Sequence, residues 1–330
     1  MDTIQEIRKP IHSEFRQYEQ LFAQALQSDN KLLSEVLDYI HSKRGKQLRP
    51  ILVLLSAGIC RGITDKTLQT AVALELMHTA SLIHDDVVDD SPLRRSSEAV
   101  HTKWTNKIAV LVGDFILAKV IDLLSDVRNT TILTTVAEMG KSLSSGELLQ
   151  LHSGQSMWIS EQQYMRIIEQ KTACLVAACS AAGAASSGAT ARQITALKQF
   201  GIQLGLCFQL KDDVLDYSDI EDIGKPTMND IRDGKVTLPL LISMQRATQE
   251  EAENIRTQAE ALAQKSPHVD AFQAAEEIKS FVLRYDGIRY AHLQMQKHRN
   301  RAVDALAVFP DNQCKRSLIA LLDYAINRVY

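Results

Sequence analysis

The chain carries the same acidic motif twice, and each copy interrupts a long apolar segment with helical spacing. The copies are Asp85-Asp86-Val87-Val88-Asp89 and Asp212-Asp213-Val214-Leu215-Asp216. Because an ionised carboxylate is costly to remove from water, six carboxylates in apolar helices require a compensating cation. A solvated, acidic helix end is the commoner explanation for one such motif. Two copies with apolar flanks favour a metal site.

The spacing within each motif narrows the kind of site. Asp85 and Asp89, like Asp212 and Asp216, are four positions apart and therefore lie on one helix face, with Cβ atoms about 5–6 Å apart. A hard cation such as Mg²⁺ is usually bound by one or two carboxylates, and water and phosphate oxygens complete its coordination. Two such half-sites predict a polyphosphate substrate between them.

Helical periodicity of the apolar residues extends almost from end to end. Hydrophobic residues make up 45% and aromatic residues 5% of the chain, a mixture that predicts an all-α protein. No strand pattern competes and no linker is evident, so we expect one large helical bundle and a single domain over residues 1–330. The segments 65–91 and 190–219 are apolar on several faces, which predicts central helices with the aspartates near their C-terminal ends. The predicted helices cover 3–27, 31–43, 50–61, 65–91, 105–126, 129–153, 160–187, 190–219, 236–245, 248–264, 269–283, 287–308 and 312–329.

Charge and cysteine usage exclude several classes of protein. The net charge is −3 with mixed signs, so there is no basic stripe for nucleic acid. No uncharged apolar run reaches the ~18 residues needed for a membrane span, and the N-terminus has no apolar signal segment. The cysteines lie mostly among Ala, Leu and Val without a Cys-x-x-Cys pair, which indicates reduced thiols and a cytoplasmic protein. They are Cys60, Cys174, Cys179, Cys207 and Cys314.

Two basic segments flank the first aspartate motif. Arg44-Gly45-Lys46-Gln47-Leu48-Arg49-Pro50 combines a turn, a helix start and cationic side chains, which is a suitable cradle for a diphosphate. Ser91-Pro92-Leu93-Arg94-Arg95 ends the predicted helix and places two guanidinium groups close to Asp89. Either segment alone would more often be a solvated surface turn. Next to a phosphate-binding metal site, both are candidate diphosphate clamps.

Taken together, these motifs and their order resemble those of trans-type polyprenyl diphosphate synthases of the class I isoprenoid synthase fold. The resemblance spans nearly the whole chain and implies a helical bundle with a deep central cavity. The matching segments are Gly45-Lys46-x-x-Arg49-Pro50, Leu82 to Asp89, Arg94-Arg95, Lys171-Thr172, Gln209 to Tyr217, Gly224-Lys225-Pro226 and Asp233 to Pro239.

The resemblance also implies roles for individual residues. Isopentenyl diphosphate would be held by Lys46, Arg49, His78 and Arg95. The allylic diphosphate would be held by Arg94, Lys171, Thr172, Gln209, Lys225 and Lys235. Three Mg²⁺ ions on that diphosphate would be bound through Asp85, Asp89, Asp212 and Asp216, and the residues expected to be catalytic are Asp85, Asp86, Asp89, Lys171, Asp212 and Asp213.

The implied reaction is ionisation of an allylic diphosphate, attack by the isopentenyl double bond and loss of a proton. Metal ions and cationic side chains would stabilise the leaving pyrophosphate, and the apolar interior would exclude water. No protein nucleophile is needed. Farnesyl or geranylgeranyl diphosphate is the expected allylic substrate, and a homodimer is expected by resemblance.

Product length is predicted from the residues one helical turn before the first motif. These are Ala80 and Ser81, where short-chain members of the family have aromatic residues that block the tunnel. Small residues therefore predict an open tunnel and a long, octaprenyl-like product. Small size could equally serve helix packing.

The chain departs from the family pattern at Arg44, Gln47 and Ser96, where glycine, arginine and glycine are usual. Two alternatives remain at this stage. A terpene cyclase of the same fold would usually lack the intact second motif, and a non-catalytic partner subunit would usually lack one aspartate motif. His84 beside Asp85 is expected to pack rather than to bind metal, because a hard Mg²⁺ site prefers oxygen ligands.

Overall fold

A computed structural model describes residues 3–94, 97–153, 157–218, 228–266 and 270–328. Within these ranges the chain is almost entirely helical, which confirms the predicted all-α class. The helices are α1 Ile4–Ile7, α2 His12–Ala25, α3 Lys31–Ser42, α4 Leu48–Gly58, α5 Asp65–Val88, α6 Val100–Lys103, α7 Asn106–Val127, α8 Thr130–Ser153, α9 Glu161–Ile168, α10 Cys174–Ser186, α11 Ala191–Leu215, α12 Asn229–Arg232, α13 Leu238–Arg246, α14 Gln249–Ala263, α15 Ala271–Arg284, α16 Gly287–Ala305 and α17 Gln313–Asn327.

Local sequence signals account for where these helices begin. The Thr64 hydroxyl accepts a hydrogen bond from the Thr67 N–H, and the Thr67 hydroxyl accepts one from the Thr64 N–H, which makes a reciprocal cap at the start of α5. Ser160 caps α9 in the same way, with Gln163 as its partner. Such caps satisfy backbone N–H groups that have no acceptor within the helix.

Several predicted helices are interrupted. The segment 3–27 breaks at a 3₁₀ turn, Lys9–Ile11, because Pro10 cannot donate a backbone hydrogen bond. The segment 160–187 contains a π-helical turn, Glu169–Ala173, between α9 and α10. The expectation that no strand would form was wrong: β1 Leu93–Arg94 and β2 Ser97–Glu98 pair antiparallel. Strands of two residues carry too little periodicity to be seen in a sequence.

One compact unit is formed by Met1–Glu138, Leu175–Gly201 and Ala305–Leu321. Its centre is α5, which packs along α7 and against α4 and α2. Burial on several faces of α5, as at Leu68, Leu74 and Leu76, makes it a core helix. Close packing depends on Gly183, where an added Cβ would lie 2.4 Å from the Val53 carbonyl oxygen.

A second compact unit is formed by Met139–Cys174, Ile202–Asp304 and Leu322–Tyr330. Its core joins α9, the second half of α11 and the helices α13 to α16, with Leu210, Leu240, Ile278 and Val282 buried. Gly287 allows α16 to approach α13, since an added Cβ would lie 2.2 Å from the Pro239 carbonyl oxygen. Each aspartate motif therefore belongs to one unit: the first motif to the first unit, the second motif to the second.

Of the helices in the described ranges, none is long and apolar enough to cross a membrane. All five cysteines are free thiols, as predicted. The single domain over 1–330 and the deep central cavity stay predictions.

Candidate active site

The first aspartate motif lies at the C-terminal end of α5. Asp85 is half-buried and Asp89, which caps the helix, is exposed. The Asp89 N–H donates to the Asp85 carbonyl oxygen at 2.8 Å, so the two residues are one helical turn apart on the same face. Carboxylates at a helix C-terminus oppose the helix dipole, which increases their need for a cation.

Asp86, between them, is in a different environment. It is only 4% exposed and accepts hydrogen bonds from the Arg94 Nε at 2.7 and 3.0 Å and an ion-pair contact from Nη2 at 2.7 Å. A two-point guanidinium contact of this kind compensates a buried carboxylate well. In this structure Asp86 and Arg94, both predicted to act in the site, bind each other and fasten β1 to the end of α5.

A cavity of about 90 Å³ lies beside this ion pair. Most of its lining is apolar, with Leu82 and Ile83 among the lining residues. The ionisable side chains that also line it are Lys43, Arg44, Glu75, His78, Asp86, Arg94 and Glu98. Of the four residues predicted to hold isopentenyl diphosphate, His78 lines the cavity. Lys46 and Arg49 follow Gly45, which also lines it, and Arg95 lies outside the described residues.

His84 packs against the neighbouring helix α7. Its Nε2 lies 3.3 Å from the Val110 carbonyl oxygen and 3.6 Å from Asp114 Oδ1. An added Cβ at Gly113 would lie 2.2 Å from the same nitrogen, so the ring occupies the space that the glycine leaves. These contacts agree with the expectation that His84 is a packing residue next to Asp85.

The second motif lies at the C-terminal end of α11. The Asp216 N–H donates to the Asp212 carbonyl oxygen at 3.1 Å, which repeats the geometry of Asp85 and Asp89. Asp212 Oδ1 pairs at 2.7 Å with Nη2 of Arg328, whose guanidinium stacks on the Phe208 ring at 3.7 Å. Asp216 accepts hydrogen bonds from the backbone N–H groups of Asn229 and Asp230 at 3.0 and 3.1 Å.

Asp213 is buried in the middle of a hydrogen-bonded chain. It accepts from the Tyr164 hydroxyl on one oxygen and from Gln209 Nε2, at 2.9 Å, on the other. Thr172 Oγ1 then donates to Gln209 Oε1 at 2.9 Å. Burial raises the pKa of Asp213 to about 7, against the lowering effect of the hydrogen bonds from Tyr164 and Gln209. Asp213 thus orients Gln209 and, through it, Thr172.

Lys171 is held by an acid that the sequence motifs do not include. Its Nζ lies 2.5 Å from Glu147 Oε1, and the π-helical turn Glu169–Ala173 sets its direction. Lys235 Nζ lies 3.7 Å from Asp233 Oδ2, and its backbone N–H donates to the Asp230 carbonyl oxygen. Lys225, the remaining residue predicted for the allylic diphosphate, lies outside the described residues.

Buried carboxyl groups cluster around the second motif. Burial, together with the neighbouring Asp213 and Asp216, raises the pKa of Asp230 to about 8. Burial likewise raises the pKa of Asp216. A carboxyl group with a raised pKa ionises more readily when a cation is bound beside it. Such oxygen ligands are suited to a hard divalent cation. In the described ranges no three His, Cys, Asp or Glu side chains converge on one metal position.

The two residues predicted to control product length lie on α5. Ala80 is fully buried, and the half-buried Ser81 donates its hydroxyl to the His78 carbonyl oxygen at 2.9 Å. Both are small side chains in the helix that carries the first motif.

Three residues beside the site were missed in the sequence. Tyr164 lies two helical turns before Lys171, so its spacing could have indicated that the two residues share a helix. The spacing gives no indication of the hydrogen bond from Tyr164 to Asp213. Glu147 and Arg328 gave no usable signal, because their partners Lys171 and Asp212 are distant in the chain.

Comparison with known proteins identifies the family. A family model described as polyprenyl synthetase matches residues 30–278. The octaprenyl diphosphate synthase of Haemophilus influenzae is 34% identical over 329 residues, which cover 99% of this chain and 98% of that protein. A decaprenyl diphosphate synthase from Rhodobacter capsulatus has a crystal structure with a TM-score of 0.91 at 30% identity, covering 99% of this chain and 100% of that one. A geranylgeranyl pyrophosphate synthase structure from Bacteroides thetaiotaomicron is 34% identical, with a TM-score of 0.83 and coverage of 99% and 100%.

The chain belongs to the polyprenyl synthetase family, and it has the all-α fold of the isoprenoid synthases. This confirms the resemblance that the motifs indicated.

Proposed function

We propose that this protein is a trans-prenyltransferase that condenses isopentenyl diphosphate onto an allylic diphosphate to build a long-chain polyprenyl diphosphate. One repeated arrangement supports the proposal. In each compact unit two aspartates one helical turn apart end a core helix, and an arginine pairs with one aspartate of each motif. Paired oxygen ligands beside cations are suited to a metal-bound diphosphate. The similarity to octaprenyl and decaprenyl diphosphate synthases supports the long-chain product.

The allylic diphosphate would lie against Lys171, Thr172, Gln209 and Lys235, with Arg94 and Lys225 as further contacts. Asp85, Asp89, Asp212 and Asp216 are the residues that would hold Mg²⁺, in three ions by analogy with the family, while the more deeply buried Asp86 and Asp213 orient Arg94 and Gln209. Mg²⁺, when bound, would supply Lewis-acid stabilisation of charge on the departing pyrophosphate. A cation bound to Oδ1 of Asp212 would compete with Arg328, whereas Oδ2 would be the second possible ligand atom.

Isopentenyl diphosphate would bind at the cavity beside α5, with His78, Lys46, Arg49 and Arg95 as its diphosphate contacts. Glu75, Asp86 and Glu98 also line this cavity. These acids would repel a diphosphate. The cationic side chains therefore have to face the phosphates, while the acids hold the cationic side chains in position from behind. Asp86 on Arg94 is the observed instance of such anchoring.

Elongation would proceed past Ala80 and Ser81. Replacing Ala80 by Phe fills space on α5 and should shorten the product; a product of unchanged length would contradict the open-tunnel hypothesis. Ser81→Phe tests the adjacent position in the same way. Because Ala80 is fully buried, circular dichroism is needed to show that the variant folds.

The test of the activity is elongation itself. Purified protein is incubated with labelled isopentenyl diphosphate, Mg²⁺ and farnesyl or geranylgeranyl diphosphate, and the dephosphorylated products are sized. Asp85→Asn and Asp212→Asn should each abolish elongation, whereas Asp90→Asn, which removes the same charge from an exposed neighbour, should not. No elongation with either primer would refute the proposal. A terpene cyclase would instead consume the primer without isopentenyl diphosphate, and a non-catalytic subunit would consume neither.

We also propose a homodimer formed through α7. Leu111 and Ile121 are 67% and 69% exposed, and Val110 and Ala118 lie on the same exposed face. This strip is mainly apolar, although the exposed Asp114 lies within it, and such a strip is more typical of an interface than of a solvated helix. Leu111→Lys with Ile121→Lys should give a monomer by light scattering. Leu283→Lys, an exposed leucine on α15, is the control and should leave the dimer intact.

A further inference from the structure

Lys171, which the proposed function assigns to the allylic diphosphate, is already engaged by a carboxylate. Its Nζ lies 2.5 Å from Glu147 Oε1, and the two side chains are 27% and 19% exposed. An ion pair that is mostly shielded from water is stronger than a surface pair and less screened by salt. A diphosphate oxygen therefore has to compete with Glu147 for this ammonium group.

Backbone packing fixes the position of the pair. Gly146 lies directly against the π-helical turn. A Cβ added at Gly146 would be 2.9 Å from the backbone nitrogen of Lys171 and 2.9 Å from the Cβ of Gln170. The π-helical turn Glu169–Ala173 inserts one residue into the helix and so redirects Lys171 and Thr172. Close contact on one side and an altered helix register on the other hold Glu147 and Lys171 facing each other.

The second oxygen of Glu147 increases its dependence on Lys171. Glu147 Oε2 is buried and has no hydrogen-bond donor among the residues that the structure describes. When Lys171 turns to a phosphate, Glu147 is left as a shielded carboxylate with less compensation, which is unfavourable. This free-energy cost reduces the affinity with which Lys171 can bind a phosphate.

We propose that Glu147 is a positioning residue that aims Lys171 at the diphosphate and weakens its hold on it, so that pyrophosphate leaves after each condensation. The inference rests on the proposed function, in which every added isoprene unit releases one pyrophosphate. Without a competing carboxylate, Lys171 would hold the highly charged pyrophosphate more tightly and slow its release. As the pyrophosphate departs, the Lys171 ammonium pairs with Glu147 again, and no covalent bond in the protein is made or broken.

The test compares Glu147→Gln with the wild type by calorimetric titration of inorganic pyrophosphate in the presence of Mg²⁺. Glutamine keeps the shape but not the charge, so pyrophosphate should bind about five- to tenfold tighter, equivalent to about 1 kcal/mol. The KM for the allylic diphosphate should fall similarly, kcat should fall as release becomes limiting, and the KM for isopentenyl diphosphate should not change. Glu147→Asp, which keeps the charge, should restore wild-type affinity within about twofold.

Glu169→Gln is the matched control, because it removes the same charge from an exposed position of the same π-helical turn. It should leave pyrophosphate affinity unchanged. Unchanged or weaker pyrophosphate binding by Glu147→Gln would overturn the inference and assign Glu147 a purely structural role.

Lys171→Gln separates failure of this inference from failure of the proposed function. Pyrophosphate should bind more weakly to Lys171→Gln, and adding Glu147→Gln to that variant should have no further effect. Wild-type pyrophosphate affinity in Lys171→Gln would refute the assignment of Lys171 to the diphosphate itself. If Glu147→Gln tightens pyrophosphate binding just as much in the Lys171→Gln variant, the assignment of Lys171 to the diphosphate stands. Only the competition between Glu147 and the phosphate for Lys171 would then be refuted.

Discussion

Tyr164→Phe isolates one hydrogen bond to a buried carboxylate. The Tyr164 side chain is 4% exposed, and its ring packs in the second unit's core with Ile168 and Leu210. Its hydroxyl donates to Asp213, whose other oxygen accepts from Gln209 at 2.9 Å. Phenylalanine keeps the ring and its packing, so the substitution removes a donor without creating a cavity of side-chain size.

The expected cost depends on the charge of Asp213. A hydrogen bond to a charged group contributes about 1.5–3 kcal/mol, and one between neutral groups about 1 kcal/mol. Because burial raises the pKa of Asp213 to about 7, this carboxylate is mostly ionised at pH 8.5 and mostly protonated at pH 5.5. Loss of the donor raises its pKa further. We therefore expect Tyr164→Phe to lower the free energy of unfolding by about 2 kcal/mol at pH 8.5 and about 1 kcal/mol at pH 5.5.

Urea denaturation at the two pH values measures both numbers, with an unchanged m-value as evidence that only stability has changed. Tyr290→Phe is the control: its hydroxyl donates to Glu161 at 2.8 Å, but in a partly exposed site. That variant should lose less than about 1 kcal/mol, with little dependence on pH. A loss for Tyr164→Phe that is no larger than the control, or that is larger at pH 5.5, would refute the role given to Asp213 here.

Further predictions concern the first unit and one buried histidine. Arg94→Met leaves Asp86 buried without its partner and should lower the free energy of unfolding by about 1–3 kcal/mol, measured with urea; an unchanged midpoint would contradict the anchoring role. Gly113→Ala should cost about 1–3 kcal/mol by collision with His84, and adding His84→Ala should recover most of it; no recovery would place the strain elsewhere. Burial, together with nearby cationic side chains, lowers the pKa of His298 to about 4, so the unfolded chain binds its proton first as the pH falls. The wild type should therefore lose about 1–2 kcal/mol of stability through this residue between pH 7.5 and pH 5, and His298→Gln should lose that much less over the same range.

Much of the helical framework could be predicted from the sequence. The central segments 65–91 and 190–219 correspond to α5 Asp65–Val88 and α11 Ala191–Leu215. Each aspartate motif ends its helix, as predicted. These features depend on caps, apolar spacing and contacts one turn apart, all of which are set by neighbouring residues.

The partners within the site could not be predicted in this way. Asp86 and Asp89 are equivalent acids in the sequence, yet only Asp86 is buried against Arg94. Tyr164 and Asp213 are 49 residues apart, and Lys171 and Glu147 are 24 apart. Which of these side chains meet depends on how whole helices pack, and no local pattern carries that information.

The sequence by itself determined the helices, the two aspartate pairs and the family to which their motifs belong. Tertiary structure alone decided which aspartates stay partly exposed and which are buried and hold Arg94, Gln209 and Thr172 in place. The physical reason is desolvation. A carboxylate at a helix end is available only if packing leaves it near water, and a buried one must find a donor wherever the fold supplies it.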